Sequence, residues 1–186
     1  TPNHFESLAA KDVCVELSGA LKVLAVALTK IANDIRWLSS GPRAGFSEIA
    51  IPETQPGSSI MPGKVNPVIA ESVLQVAAQV VGNDAVVTWG GAAGNFELNV
   101  MMPVIALNLL DSVSLLANVC KIFKEKCVDG VEANFAKMNE TIEQSLSLVT
   151  ALAPVLGYDK AAALSQRAFQ ENKTIRDVVL HSGPIL

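Results

Sequence analysis

Cysteine is sparse in this chain, and Cys14, Cys120 and Cys127 form no Cys-x-x-Cys pair. Their odd number argues against a disulfide framework and suits reduced thiols in a reducing compartment. Histidine is scarcer still: His4 and His181 each lie near a terminus in a polar setting. No Cys/His/Asp spacing suggests a metal site, and both histidines read as surface residues. No Ser-His-Asp order is visible, and no phosphate-cradling motif follows a strand. Lys and Arg are scattered, and the net charge of −4 argues against a nucleic-acid surface. No uninterrupted apolar run approaches the ~20 residues of a membrane-spanning helix. Lys22, Lys30 and Asp34 break the first stretch, and Asn108 and Asp111 break a later one.

What remains is an aliphatic chain. Hydrophobic residues make up 50% and charged ones 17%, with a mean hydropathy of +0.37. That is more apolar surface than one short chain can cover, so association with further subunits is expected. The start, Thr1-Pro2-Asn3-His4, has neither an initiator Met nor a signal-peptide pattern, and the chain reads as an excerpt of something longer.

The periodicity is helical throughout, and the fold class read from it is all-α. Leu17, Leu21, Leu24, Leu28, Ile31 and Ile35 recur at three- and four-residue steps, predicting one helix from about Phe5 to Leu38 with that stripe as its packing face. Ser39-Ser40-Gly41-Pro42 stops it. Residues 39–66 are irregular, rich in Gly and Pro, with Ile49-Ala50-Ile51 as a possible short extended piece. A loop this long inside a compact protein is more often functional than not. Asn66 as N-cap and Pro67 at the first position predict a second helix, continuing through Val87. Gly90 to Gly94 reads as a flexible loop, and Asn95 and Asn99, bracketing Glu97, as caps. Trp37 and Trp89 read as packing residues. A third helix, from about Leu98 to Lys126, is apolar nearly all round, which places it at the centre of a multi-subunit bundle. Shorter, more polar helices follow at roughly 134–148, 159–171 and 174–181, with Asp159 and Thr174 as caps and Asp177 completing a variant capping box. The expected division is 1–133, a central helical bundle carrying a loop at 53–67, and 134–186, a small C-terminal helical domain.

The most informative stretch is Gly57-Ser58-Ser59-Ile60-Met61-Pro62-Gly63-Lys64-Val65-Asn66-Pro67. It combines two hydroxyls, a pliant backbone, a cation and an amide, and a helix begins at its end. A serine accepts a proton only if its oxyanion is strongly stabilised, and glycine-turn N–H groups with a nearby ammonium can do that. Ser58 is therefore a candidate base; the plain alternative is that Ser58-Ser59 only satisfy a turn. Lys64 and Asn66, two apart in an extended segment, could both hold a carboxylate beside a helix N-terminus. The alternative is a solvated Lys and a simple cap. Glu71, among Ile69, Val73 and Leu74, either orients a general acid or base or sits exposed where the helix dipole favours it.

The loop closely resembles the signature of the fumarase/aspartase superfamily. Gly63 and the block Gly90-Gly91-Ala92-Ala93-Gly94-Asn95-Phe96-Glu97-Leu98-Asn99 resemble class II fumarases in particular, as do Lys30 to Leu38, Ser40-Gly41-Pro42-Arg43, Gly82-Asn83-Asp84, Val149 to Leu152 and Gly157 to Lys160. Aspartases tend to carry Ala at the Gly63 position. The resemblance covers the whole chain and implies the C-terminal portion of such an enzyme. It implies reversible conversion of (S)-malate to fumarate plus water, within the tricarboxylic acid cycle, with no metal or other cofactor. By position, Ser58 would take the C3 proton; Ser59, Lys64, Val65 (through its backbone) and Asn66 would contact the dicarboxylate; Glu71 would pair with a histidine on another segment. The resemblance also implies a homotetramer with active sites shared between subunits, no nucleic-acid or membrane partner, and a cytoplasmic or mitochondrial-matrix setting. The chain alone is expected to be inactive. The alternatives are an aspartate ammonia-lyase of the same superfamily or a catalytically silent structural relative, as lens crystallins are.

Overall fold

The computed structural model describes residues 1–57, 60–61 and 63–181. The chain is all-α and divides into two compact units, Thr1–Glu132 and Ala133–Leu186.

The first unit holds α1 (His4–Ala9), α2 (Asp12–Leu38), α3 (Val68–Ala92) and α4 (Met102–Lys126). Long helices form here because apolar residues return at heptad-like steps. On α3 the buried positions include Ala70, Val73, Ala77, Val80, Asp84 and Val87, which alternate by three and four, with Asn83 and Gly90 beside them. On α4 Ser112, Leu116, Val119 and Phe123 do the same. That spacing keeps one seam facing a neighbour over many turns. α3 packs along both α2 and α4, which touch each other less. One cluster joins Ala32, Ala70, Val73, Val119, Phe123 and Cys127; a second joins Ala25, Ala77, Val80 and Leu116. Burial pushes the Cys127 thiol above its ordinary pKa, because the thiolate would lose its hydration.

The α2 stripe divides. Leu21, Leu28 and Ile35 pack against the clusters, whereas Leu17, Leu24 and Ile31 are exposed. The positions buried on α2 are the small ones, Ser18, Ala25 and Ala32, seven apart. They let the α3 backbone approach, which pulls the seam one residue round from the leucines.

Where two helices were expected to be one, or a loop was expected, packing decides. The Phe5–Leu38 helix is broken at Ala10-Lys11, with Ala10 extended. Lys11 Nζ donates back to the carbonyls of Ser7 and Leu8. The Ala9 carbonyl accepts from Asn99 Nδ2 at 3.3 Å. The same amide donates to the Gly90 carbonyl at 2.9 Å, and Asn99 Oδ1 accepts from Met101 N–H at 2.9 Å. Asn99 thus ties α1, the end of α3 and the start of α4 together, and α4 begins at Met102 rather than Leu98. Gly90 and Gly91 belong to the last turn of α3, not to a flexible loop. A Cβ on Gly90 would lie 2.5 Å from Ile105 Cγ1, and one on Gly91 2.5 Å from Val15 Cγ2. These glycines are there for close helix contact. Trp37 and Trp89 do not enter the core of this chain as expected: they are 65% and 76% exposed in it.

Polar groups are buried in pairs. Asp84 accepts from Ser18 Oγ at 2.8 Å and from Lys22 Nζ at 2.5 Å, linking α2 to α3. Asn83 Nδ2 donates to Asp111 at 2.9 Å and Ser112 at 3.0 Å, linking α3 to α4. Burial without such partners would cost several kcal/mol, roughly 1–3 per group. Despite these polar residues, an 18-residue stretch within Met102–Gly130 reaches a mean hydropathy of 1.6, enough by length and composition to cross a membrane, a test that buried core helices also pass. Asn108 and Asp111 still interrupt this stretch, so no uninterrupted apolar run of ~20 residues forms.

Between α2 and α3, β1 (Ile49–Ala50) pairs with β2 (Glu132–Ala133) where the first unit ends. It is a small exception to an otherwise helical chain.

The second unit holds α5 (Phe135–Gln144), α6 (Ala153–Leu156), α7 (Tyr158–Gln170) and α8 (Ile175–His181), with a 3-10 segment at Leu146–Leu152. α5 is shorter than expected because Ser145 turns extended and its hydroxyl accepts from Ser147 N–H at 3.3 Å, starting the tighter helix. Asp159 is not a cap. It lies in the first turn of α7, behind Gly157, whose φ of +83° suits glycine alone. Thr174 does cap α8: its Oγ1 accepts from Asp177 N–H at 3.1 Å and donates to Asp177 Oδ2 at 2.8 Å. Ala168, Ile175 and Val178 form the core with Leu146, Leu148, Val149, Leu152, Leu164 and Val179. Arg176 grips Glu143 through two bonds of 3.0 and 2.8 Å.

Two expectations follow for the full-length protein. Asn99→Ala removes the side-chain partner of the Ala9 carbonyl and of the Met101 N–H, leaving the Gly90 carbonyl only its bond from Ala93 N–H, and should cost about 1–3 kcal/mol; a urea midpoint matching the unsubstituted protein would contradict the clamp. Second, hydrogen bonds first from Arg167 and then from Lys173 hold the Glu171 carboxyl down to about 2, against an ordinary 4.5. A depressed folded value means that its contribution is complete above pH 4.5 and lost as pH falls towards about 2. NMR titration of Glu171 should show that low midpoint; a midpoint near 4.5 would contradict it.

Candidate functional site

The end of α2, the returning loop and the start of α3 enclose a cleft of about 590 Å³. Its walls take shape from the chain reversal after Leu38. Ser40 Oγ donates to the Trp37 carbonyl at 2.6 Å and accepts from Phe46 N–H at 3.1 Å. Ser47 N–H returns to the Ser40 carbonyl at 2.7 Å, and Glu48 N–H to Leu38 at 2.9 Å. Trp37 and Phe46 meet edge to face with centroids 6.3 Å apart. Gly45 must be glycine, since a Cβ there would lie 2.4 Å from the Ser40 carbonyl. The loop is therefore a closed, hydrogen-bonded wall.

The opposite wall is the end of the serine-bearing segment. Gly57 lies so close to Lys64 that a Cβ would stand 2.3 Å from the Lys64 carbonyl oxygen. The two ends of the segment touch, which makes it a narrow-necked loop. Lys64 N–H bonds the Met61 carbonyl at 3.2 Å, and Gly63 takes a φ of +81°. Lys64, Val65 and Asn66 then run along the cleft to Pro67 and the first turn of α3, where Glu71 faces the same space.

Of the residues singled out from sequence, Lys64, Val65, Asn66 and Glu71 line this one cleft. Ser58 and Ser59 lie outside the described residues. Asn66 does not cap the helix. α3 starts at Val68, the capping position falls to Pro67 with no side-chain bond, and the Asn66 carbonyl accepts from Val68 N–H at 2.9 Å. Its amide is thus left for the cleft. Among the described residues Glu71 has Arg36 as its charged partner, with Nη2 to Oε1 at 3.9 Å.

Sequence reasoning missed Arg36, Ser39 and Ser40 as cleft residues. The available signal was the abrupt Ser39-Ser40-Gly41-Pro42 stop leading into a long irregular segment, because a helix that ends at a functional loop presents its last turn to it. The cleft's charged residues are Arg36, Lys64 and Glu71, two cations and one anion. With the positive end of α3 behind them, the local field favours an anion although the chain is acidic overall. Among the described residues no group of three or more His, Cys, Asp or Glu stands close enough to hold a metal ion, and both histidines are exposed and neither lines the cleft.

Residues 1–82 match the family model described as lyase, and residues 148–185 match that of the fumarase C C-terminus. The class II fumarate hydratase of Mycobacterium tuberculosis (strain ATCC 25618 / H37Rv) is 55% identical over 98% of this chain. The chain belongs to the class II fumarase family. The crystal structure of class II fumarase from Schistosoma mansoni superimposes with a TM-score of 0.92 at 42% identity, over 95% of this chain and 37% of that one. That of a fumarate lyase:delta crystallin from Brucella melitensis does so with a TM-score of 0.89 at 48% identity, over 97% and 42%. The chain spans 39% of the length of the Mycobacterium relative, so it carries part of what a complete member of the family carries.

Proposed function

We propose that the full-length protein to which this chain contributes is a fumarate hydratase, interconverting (S)-malate and fumarate plus water. The observation that carries this reading is the meeting of Lys64, Asn66 and Glu71 in one cleft at a helix N-terminus, in a chain that matches class II fumarate hydratases across nearly its whole length.

In the dehydration direction, a base removes a proton from C3 of malate, next to a carboxylate. Charge moves into that carboxylate, giving a dianionic aci-carboxylate. The C2–O bond then breaks as the leaving hydroxyl gains a proton, and water departs. The dianion is the species to stabilise, and fixed cations and N–H donors aimed at it do so without reorganisation. Lys64 supplies the charge, the Asn66 amide and the Val65 backbone supply hydrogen bonds, and Ser59 adds a contact. Ser58 is the proposed proton acceptor. Glu71 orients the partner acid–base group, a histidine from a segment outside this chain. Closure of the loop over the substrate would exclude water from the site.

The reading extends to assembly. Val23 and Val26 on α2, Trp89 on α3 and Leu107 and Leu110 on α4 are 58–76% exposed in the isolated chain. Such apolar faces on all three long helices fit a homotetramer in which copies cover one another and share active sites. A cytoplasmic or mitochondrial-matrix setting and a place in the tricarboxylic acid cycle complete the proposal.

Full-length protein should dehydrate malate and form no fumarate from aspartate. Ser58→Ala should lower kcat by about two or more orders of magnitude, the usual worth of a positioned proton-transfer group. Lys64→Met should weaken binding and turnover together. A near-normal kcat for Ser58→Ala would falsify the assigned base. Sedimentation should show an oligomer; a monomer would remove the basis for shared sites.

A further inference from the structure

We propose that Arg36 is a positioning residue of the cleft: it holds the Glu71 carboxylate towards the reacting space without occupying its hydrogen-bonding capacity. The proposal rests on the fumarate hydratase reading above, in which Glu71 orients an acid–base group.

Three observations carry it. Arg36 lies one turn from the end of α2, and its guanidinium is anchored there, with Nη1 donating to Asn33 Oδ1 at 3.0 Å. Its Nη2 reaches to 3.9 Å from Glu71 Oε1 on the first turn of α3. A charge-assisted hydrogen bond would be about 2.7–2.9 Å, so this is an ion pair across a gap. The Glu71 oxygens keep their lone pairs for another donor. Third, Arg36 Nε is buried with no hydrogen-bond partner among the described residues. A guanidinium held mainly for stability would engage that group.

A stabilising role is a poor account of the pair. The two side chains are 37% and 41% exposed, and ion pairs at such exposure contribute little to folding. Their location in the cleft is informative instead. The charged groups lining it are Arg36 from α2, Lys64 from the loop and Glu71 from α3. Lys64 is assigned to the substrate, which leaves Arg36 to set the orientation and field of Glu71.

The test is the split between kcat and KM for malate in full-length protein. Arg36→Met should lower kcat about tenfold through misorientation of Glu71, with a smaller change in KM. Arg36→Lys, which keeps the charge, should recover most of the lost kcat. Should Arg36→Met fail to fold, Arg36→Gln, which can still bond Asn33, decides by the same criterion. A kcat that falls equally in the Met, Gln and Lys variants would show a merely structural side chain and overturn the proposal, as would unchanged kinetics. An unsubstituted protein inactive on malate overturns the fumarate hydratase reading, and this inference with it.

Discussion

The close approach of α2 and α3 through alanine is the constraint on which the rest depends. Ala25, Ala32 and Ala70 are wholly buried and Ala77 nearly so. A larger side chain at any of them would push the two backbones apart, because packed interiors have no slack to absorb it. Ala32 and Ala70 share one cluster. Arg36 stands one turn beyond Ala32, and Glu71 is the residue after Ala70. Bringing the alanines together therefore brings the guanidinium and the carboxylate to the same end of the helix pair. The site's charge geometry is a by-product of helix packing.

The loops then convert that end into a cleft. The reversal held by Ser40 makes one wall, and the Gly57–Lys64 neck makes the other. Both use glycine where another backbone passes within van der Waals contact, at Gly45 and Gly57. A neck of this kind anchors the segment at its two ends, beside the start of α3. The glycine at 57 is better explained by this contact than by pliancy of the loop as such. At Gly63 the reverse holds: no atom crowds it, and its positive φ is the requirement.

Much of the fold was legible in the sequence. A three- and four-residue apolar stripe announced the first long helix, Asn66-Pro67 the second and near-total apolarity the third, and the Thr174–Asp177 pair announced the start of the last one. What escaped was set by neighbours distant in the chain. The break at Ala10 is held from Asn99, a contact across 90 positions. The glycines at 90 and 91 look like a loop because their purpose, room for Ile105 and Val15, is a tertiary property. The exposed half of the α2 stripe could not be told from the buried half, since both repeat with the same period.

The local chemistry was set by the sequence alone: a serine-bearing loop, a lysine and an amide two residues apart, and a carboxylate just inside the helix that follows. Of these, Lys64, Asn66 and Glu71 stand close enough along the chain to line one cleft. Tertiary structure decided which further residues complete the site. Arg36 and Ser40 precede Glu71 by 35 and 31 positions, and no local rule connects them. They reach it because buried alanines set the distance between two helices, and a side chain's partner across a helix pair depends on that distance and on rotation, which only packing determines.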